Sequence, residues 1–132
     1  DLAVAYGKGP VSSKEIAERQ NLSQKYLENL MTTLRSAGLI RSVRGPQGGH
    51  VLASPPEEIT LRAIFEALEG ASGCVECTTN PDLCERHADC LTQEVWAHMY
   101  EAAMAVLEKT TLADLVRRSG ERRSNAFAMY YI

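Results

Sequence analysis

The stretch GPVSSKEIAERQNLSQKYLENLMTTLRSAGLIRSVRGPQGGHVLA, Gly9 to Ala53, decides the fold. Ser12 to Glu15 reads Ser-Ser-Lys-Glu, a capping box in which a hydroxyl takes a free backbone N–H and a carboxylate reaches back to the cap. It opens a short helix with Ile16 and Ala17 inward. Gln20-Asn21-Leu22-Ser23 makes a turn, with Leu22 as its apolar plug and Ser23 as the next N-cap. In the second helix Tyr26, Leu27, Leu30, Met31 and Leu34 form one apolar stripe, and Gly38 ends it. The opposite face carries Gln24, Lys25, Glu28, Asn29, Thr32 and Arg35. Such a face is ordinarily the solvated side of an amphipathic helix. Its setting argues for more, because a short helix, a tight turn and a longer helix with polar residues at its start make a helix-turn-helix.

Two β-type runs, Leu39–Val43 and His50–Ala53, follow and flank the loop Arg44-Gly45-Pro46-Gln47-Gly48-Gly49. They predict a hairpin with a basic, glycine-rich tip. A hairpin directly after such a helix is a wing, and Arg44 suits a narrow minor groove with its enhanced negative potential. A phosphate-cradling nucleotide loop is excluded, since no helix follows the glycines and no P-loop pattern is present.

Composition agrees once it is divided. The chain has 132 residues and a net charge of −3, which taken whole argues against a nucleic-acid partner. From Val11 to His50, however, six Lys/Arg stand against three acids, a net of +3, and from Val51 to Thr110 three stand against eleven, a net of −8. Phosphate binding depends on local charge, so the first half suits DNA while the acidic half stays away. With 45% apolar and 23% charged residues the chain suits a soluble globular protein. No uncharged apolar run approaches the roughly 20 residues of a membrane span, and no signal peptide is evident. Asp1 to Tyr6 reads as the second half of an apolar helix, which implies residues ahead of Asp1.

Further on, Ser54–Gly70 predicts a third helix with Ile59, Leu61, Ile64, Phe65 and Leu68 apolar. Leu91 to about Lys109 predicts a long helix carrying Val95, Trp96, Met99, Ala103, Val106 and Leu107 on one side. Little in so small a domain is left to cover that side, and self-association would cover it. Thr110-Thr111 caps a short last helix, and the tail from Ser119 has no convincing period. The predicted fold is mainly α with a small β-hairpin wing. Residues 1–70 form the DNA-binding domain, 71–90 a cysteine-rich loop, 91–118 the dimerisation helix region and 119–132 the tail.

All four cysteines lie in that loop, in GCVECTTNPDLCERHADC (Gly73–Cys90), with the spacing C-x2-C-x6-C-x5-C from Cys74. Structural zinc favours paired C-x2-C knuckles, and only Cys74 and Cys77 supply one. An iron–sulfur cluster tolerates irregular spacing. A reversible thiol switch would also use neighbouring cysteines. The residues alone leave these three uses open. No Ser/His/Asp or Cys/His arrangement points to catalysis.

Together these pieces resemble the Rrf family of bacterial winged-helix repressors, over nearly the whole chain up to about Arg118. The Gly9–Ala53 stretch, ITLRAIFEALEG, CLTQEVW and TTLADLV stand in the family's order. The resemblance implies a cytoplasmic, non-enzymatic homodimer that binds a palindromic operator in double-stranded DNA. Glu28 and Asn29 match its base-contacting positions, with Gln24 and Lys25 close by, and Arg44 matches the wing arginine. Members that bind an iron–sulfur cluster use three cysteines between the third helix and the dimerisation helix. Cys84 and Cys90 match the second and third, and Cys77 or Cys74 the first. Where the cluster-assembly regulator has a histidine as fourth ligand, this chain has Gln93. The nitric-oxide sensor takes its acidic ligand from a first-helix region this chain does not include. The implied holder is then all-cysteine, Cys74, Cys77, Cys84 and Cys90, for a [2Fe–2S] or [4Fe–4S] cluster, with His87 as an outside candidate. His98 reads as structural. The rival within the class is a DNA-binding regulator with a structural zinc or thiol-switch loop. The rival outside it, an iron–sulfur carrier, leaves the basic half and the wing without a purpose.

Overall fold

The computed structural model describes residues 1–70, 80, 82, 84–86 and 89–129, with side chains to Arg122. Helices α1 (Ser13–Gln20) and α2 (Gln24–Ser36) precede strands β1 (Ile40–Val43) and β2 (Gly49–Leu52). Helices α3 (Leu61–Glu69), α4 (Leu91–Glu108) and α5 (Leu112–Met129) complete the described chain.

The helix boundaries follow local chemistry. Glu15 N–H donates to Ser12 Oγ and Ser12 N–H to the Glu15 carboxylate, both at 3.2 Å, so the predicted capping box forms. Ser23 and Thr60 cap α2 and α3 in the same way through their hydroxyls. At the end of α1, Asn21 takes a left-handed φ of 52°, which asparagine tolerates better than most residues. Leu22 N–H then reaches back to the Ala17 carbonyl at 2.9 Å. Gly38, with φ 74°, ends α2 likewise, and Leu39 N–H closes on the Leu34 carbonyl at 3.0 Å. Both ends are Schellman motifs that satisfy otherwise orphaned carbonyls.

The two strands pair antiparallel with Ile40 opposite Leu52, Ser42 opposite His50 and Val43 opposite Gly49. Val11 adds a one-residue third strand, exchanging both backbone hydrogen bonds with His50 at 3.0 and 2.8 Å. The core joins Val11, Ile16, Ala17, Leu27, Met31, Ile40, Leu52 and Ile59, with Leu2, Ala3 and Ala5 of the opening turns packed against it. Tyr26, read from the sequence as part of the apolar stripe, is 54% exposed instead. It stands one residue, about 100° of helix, from Leu27, at the margin of the stripe, and only Leu27 and Met31 of α2 are buried.

Helix α4 packs against α3 through the face that buries Met104, a residue outside the apolar side predicted for it. That predicted side faces outward, with Val95 66% and Val106 64% exposed and Trp96 and Met99 also exposed. Helix α5 extends to Met129, well past the short helix predicted for TTLADLVRR. No proline interrupts it, and Gly120 is helix-weakening but tolerated. Among the described residues no helix is long and apolar enough to cross a membrane.

Candidate nucleic-acid interface and cysteine segment

The N-terminal half of α2 presents Gln24, Lys25, Glu28 and Asn29 together, and all four are exposed. The cap at Ser23 starts the helix there, and burial of Leu27 and Met31 turns the polar side outward. Gln24 Nε2 donates to Glu28 Oε1 at 3.0 Å, so the carboxylate is already engaged along the helix face. Thr32 and Thr33 turn their hydroxyls back onto the carbonyls of Glu28 and Asn29.

Arg44 is exposed at the hairpin tip, which three glycines shape. Gly45 holds φ 120°, a conformation side chains disfavour. A Cβ on Gly48 would sit 2.3 Å from the Val43 carbonyl oxygen, and one on Gly49 2.4 Å from that of Val11. The glycine-rich tip read from the sequence as a wing is thus required by close backbone approach on both sides.

Sequence reasoning passed over a side-chain chain at the wing's base. His50 Nε2 lies 3.0 Å from Ser13 Oγ, and His50 Nδ1 3.4 Å from Ser42 Oγ. Arg35 Nη1 donates to the same Ser42 oxygen at 3.5 Å. Partial burial, and then the nearby Arg35 charge, hold the imidazole below its ordinary pKa, so it is biased toward the neutral form. The sequence signal was present in the polar residues Ser42 and His50 at cross-strand positions, but their pairing depends on register.

Of the cysteines, Cys74 and Cys77 lie outside the described residues, as does His87. Cys84 and Cys90 are half-buried and carry free thiols. Cys90 is the N-cap residue of α4. Its Sγ is 3.2 Å from Thr92 Oγ1, and that bond, with the backbone N–H of Gln93, holds the thiol below its ordinary pKa. The thiolate is the form that binds metal or attacks a disulfide. Among the described residues no group of three or more His, Cys, Asp or Glu is arranged around one point. The donor chemistry of Cys84 and Cys90 nevertheless fits a soft-metal or cluster ligand set. His98 is exposed on α4 and Gln93 half-buried at its first turn.

The chain's likenesses agree with this architecture. The Rrf2 family, described as "Iron-dependent Transcriptional regulator", matches residues 1–118. The HTH-type transcriptional regulator CymR of Bacillus subtilis is 41% identical over 128 residues, covering 96% of this chain and 88% of that protein. The solved structure of CymR (YrzC), "the Global Cysteine Regulator of B. subtilis", superposes with a TM-score of 0.73 at 42% identity. It covers 89% of this chain and 85% of that one. The structure of T. potens IscR gives a TM-score of 0.75 at 41% identity, covering 92% and 80%. A helix-turn-helix with a glycine-shaped wing, matched along nearly its whole length, makes this chain a member of the Rrf2 family of DNA-binding transcriptional regulators.

Proposed function

We propose that the chain acts as a homodimeric repressor in the cytoplasm, and that the state of its Cys74–Cys90 segment sets its affinity for a palindromic operator. Glu28 and Asn29 read base edges in the major groove, assisted by Gln24 and Lys25, while Arg44 enters the adjoining minor groove. A carboxylate accepts from cytosine N4, and an amide pairs bidentately with adenine. The exposed apolar side of α4, from Leu91 to Val106, pairs with the same side of a second copy, and a two-fold dimer suits a two-fold operator.

The observation that carries the control mechanism is the position of Cys90. This thiolate-biased residue starts the helix proposed to set dimer geometry, with Cys84 and the other two cysteines in the segment just before it. An iron–sulfur cluster, when bound, would supply a covalent tie among these thiolates. The tie would fix where α4 begins, and with it the separation of the two recognition helices, a two-state element biased by a ligand. A second reading, a thiol switch without metal, is favoured by the same lowered Cys90 thiol and by the likeness to CymR, described as a cysteine regulator.

An anaerobic visible spectrum of fresh protein, with iron, sulfide and zinc assayed on the same sample, separates the readings. Broad charge-transfer bands with matched iron and sulfide are expected. Colourless protein with stoichiometric zinc would make the segment a structural staple. Absence of all three after anaerobic handling would favour the thiol switch.

A further inference from the structure

The wing is a two-stranded hairpin with four residues in each strand, and such a hairpin is marginal unless other elements hold it. Its base is held by Ile40 and Leu52, an opposed pair that is 3% and 6% exposed. Two positions further out stands the pair Ser42 and His50. Beyond this pair lie only Val43, Gly49 and the exposed tip with Arg44.

The imidazole of His50 joins both strands of the wing to the helices in the outermost layer where side chains tie them. One ring nitrogen meets Ser13 Oγ on the first turn of α1, and the other meets Ser42 Oγ, which also accepts from Arg35 on the last turn of α2. Hydroxyls donate or accept as required, so the neutral ring satisfies both contacts in either tautomer. The four residues span α1, α2, β1 and β2, the elements whose mutual angle relates the exposed face of α2 to the hairpin tip. Without the ring, the side-chain ties at this level fall to the single Arg35–Ser42 hydrogen bond at 3.5 Å, beside the backbone bridge between Val11 and His50. Removing the ring takes away the side-chain tie to α1 and one of the two side-chain contacts of Ser42, and so loosens the angle at which the hairpin leaves the helices.

We propose that His50 is a positioning residue for operator binding, which holds the wing at the angle where Arg44 reaches DNA while α2 occupies the major groove. The inference rests on the reading that Arg44 contacts DNA. Nothing in it requires His50 to touch the nucleic acid.

The test is a double-mutant cycle on the full chain, kept in one cysteine and metal state. The probe is a fluorescein-labelled duplex selected from a random pool by the wild-type protein. His50→Phe keeps a ring of similar size and removes both nitrogens. It is expected to weaken binding on the order of tenfold, an effect of the size usual for one lost specific contact. In an Arg44→Ala background the same change is expected to have little further effect. Hydroxyl-radical footprints should lose flanking minor-groove protection and keep the central protection. His50→Gln, which retains a donor and an acceptor, should recover part of the loss, and Ser13→Ala should reproduce part of it with less risk to folding.

Equal binding by His50→Phe and wild type would overturn the proposal. So would an equal loss in both backgrounds, which would mark His50 as a general stabiliser of the domain. If Arg44→Ala alone binds as wild type, the reading of Arg44 fails and this inference fails with it. If Arg44→Ala weakens binding while His50→Phe does not, only the inference fails.

Discussion

The backbone N–H of Leu61 donates to the carbonyl of Thr110 at 2.8 Å, joining the first residue of α3 to the end of α4. Leu112 N–H and Ala113 N–H continue the strap onto the carbonyls of Ile59 and Pro56 at 3.0 and 3.2 Å. Arg62 adds a side-chain link, with its Nε 2.7 Å from Glu66 and 3.8 Å from Glu108. These exposed pairs add little stability. The backbone strap, by contrast, anchors the C-terminal end of α4 on the start of α3 and the segment before it. The opposite end of α4 is capped by Cys90, 18 helical residues from this strap, and it is there that the proposed control by the cysteine segment would act.

The strap depends on how α5 starts. Thr111 N–H and Oγ1 both reach the Asp114 carboxylate, at 3.1 and 3.0 Å, and Asp114 N–H returns to Thr111 Oγ1. The backbone bond from Thr111 and then its hydroxyl hold the Asp114 carboxyl below its ordinary value. The folded state therefore binds this proton more weakly than the unfolded chain does. The stabilisation is present above the ordinary carboxylate range and is lost as pH falls through the lower folded value. Asp114→Ala should lower the melting temperature at about pH 7 and by clearly less at about pH 3. Equal losses at both would show that the carboxylate charge has no part in the cap.

Two glycines should respond in opposite directions to alanine. A Cβ on Gly49 meets the Val11 carbonyl at 2.4 Å, so Gly49→Ala forces the third strand off the wing. It should cost more than about 1 kcal/mol, together with operator affinity. Gly120 lies inside α5 with open space around its Cβ position. Gly120→Ala should add about 0.5–1 kcal/mol and leave DNA binding alone. Urea melts and anisotropy titrations on both variants check the pair.

Base readers and backbone contacts separate by their salt and sequence dependence. Asn29→Ala and Glu28→Ala should each cost about 1–3 kcal/mol on the best operator and relax preference at one base position. Arg44→Ala should weaken binding across sequences with similar flanks and flatten the log K against log salt slope by about 1. A uniform loss from Asn29→Ala would move that residue to the phosphate-contact class.

His50 makes a prediction about pH. Its imidazole is held below its ordinary value of 6.5, by burial first and Arg35 second. Below that value the unfolded chain takes up a proton that the folded domain resists, so stability falls as pH drops through this window. In His50→Gln this contribution should vanish, and the melting temperature should depend less on pH between about 7 and about 5. An unchanged pH profile would assign the loss to other groups.

The helix-turn-helix and its hairpin are legible in the sequence because their signals are local. Ser12, Ser23, Gly38 and the hairpin glycines each act within a few residues, and each does what its chemistry implies. Tyr26 fits the helical period but lies at the margin of the stripe, and packing covers the side centred on Leu27 and Met31. On α4 the period shows two faces, and only packing against α3 decides that Met104 is covered while Val95 and Val106 are not. The last helix was underestimated because its weak amphipathicity, with four arginines and Gly120, hides a stretch free of proline. Of the cysteine set, Cys84 and Cys90 can be placed. The bias of Cys90 toward thiolate comes from its cap position and Thr92, which spacing alone does not reveal.

The proposed control by the cysteine segment is tested most directly by anaerobic anisotropy. One preparation, divided into cluster-loaded and cluster-free portions, is titrated onto the selected operator duplex at a single salt concentration. The two Kd values should differ by about 5- to 150-fold, the range typical of coupling between a ligand site and a binding surface. Identical Kd values on every operator selected would contradict control by the cysteine segment's cluster state and leave a regulator whose signal enters elsewhere.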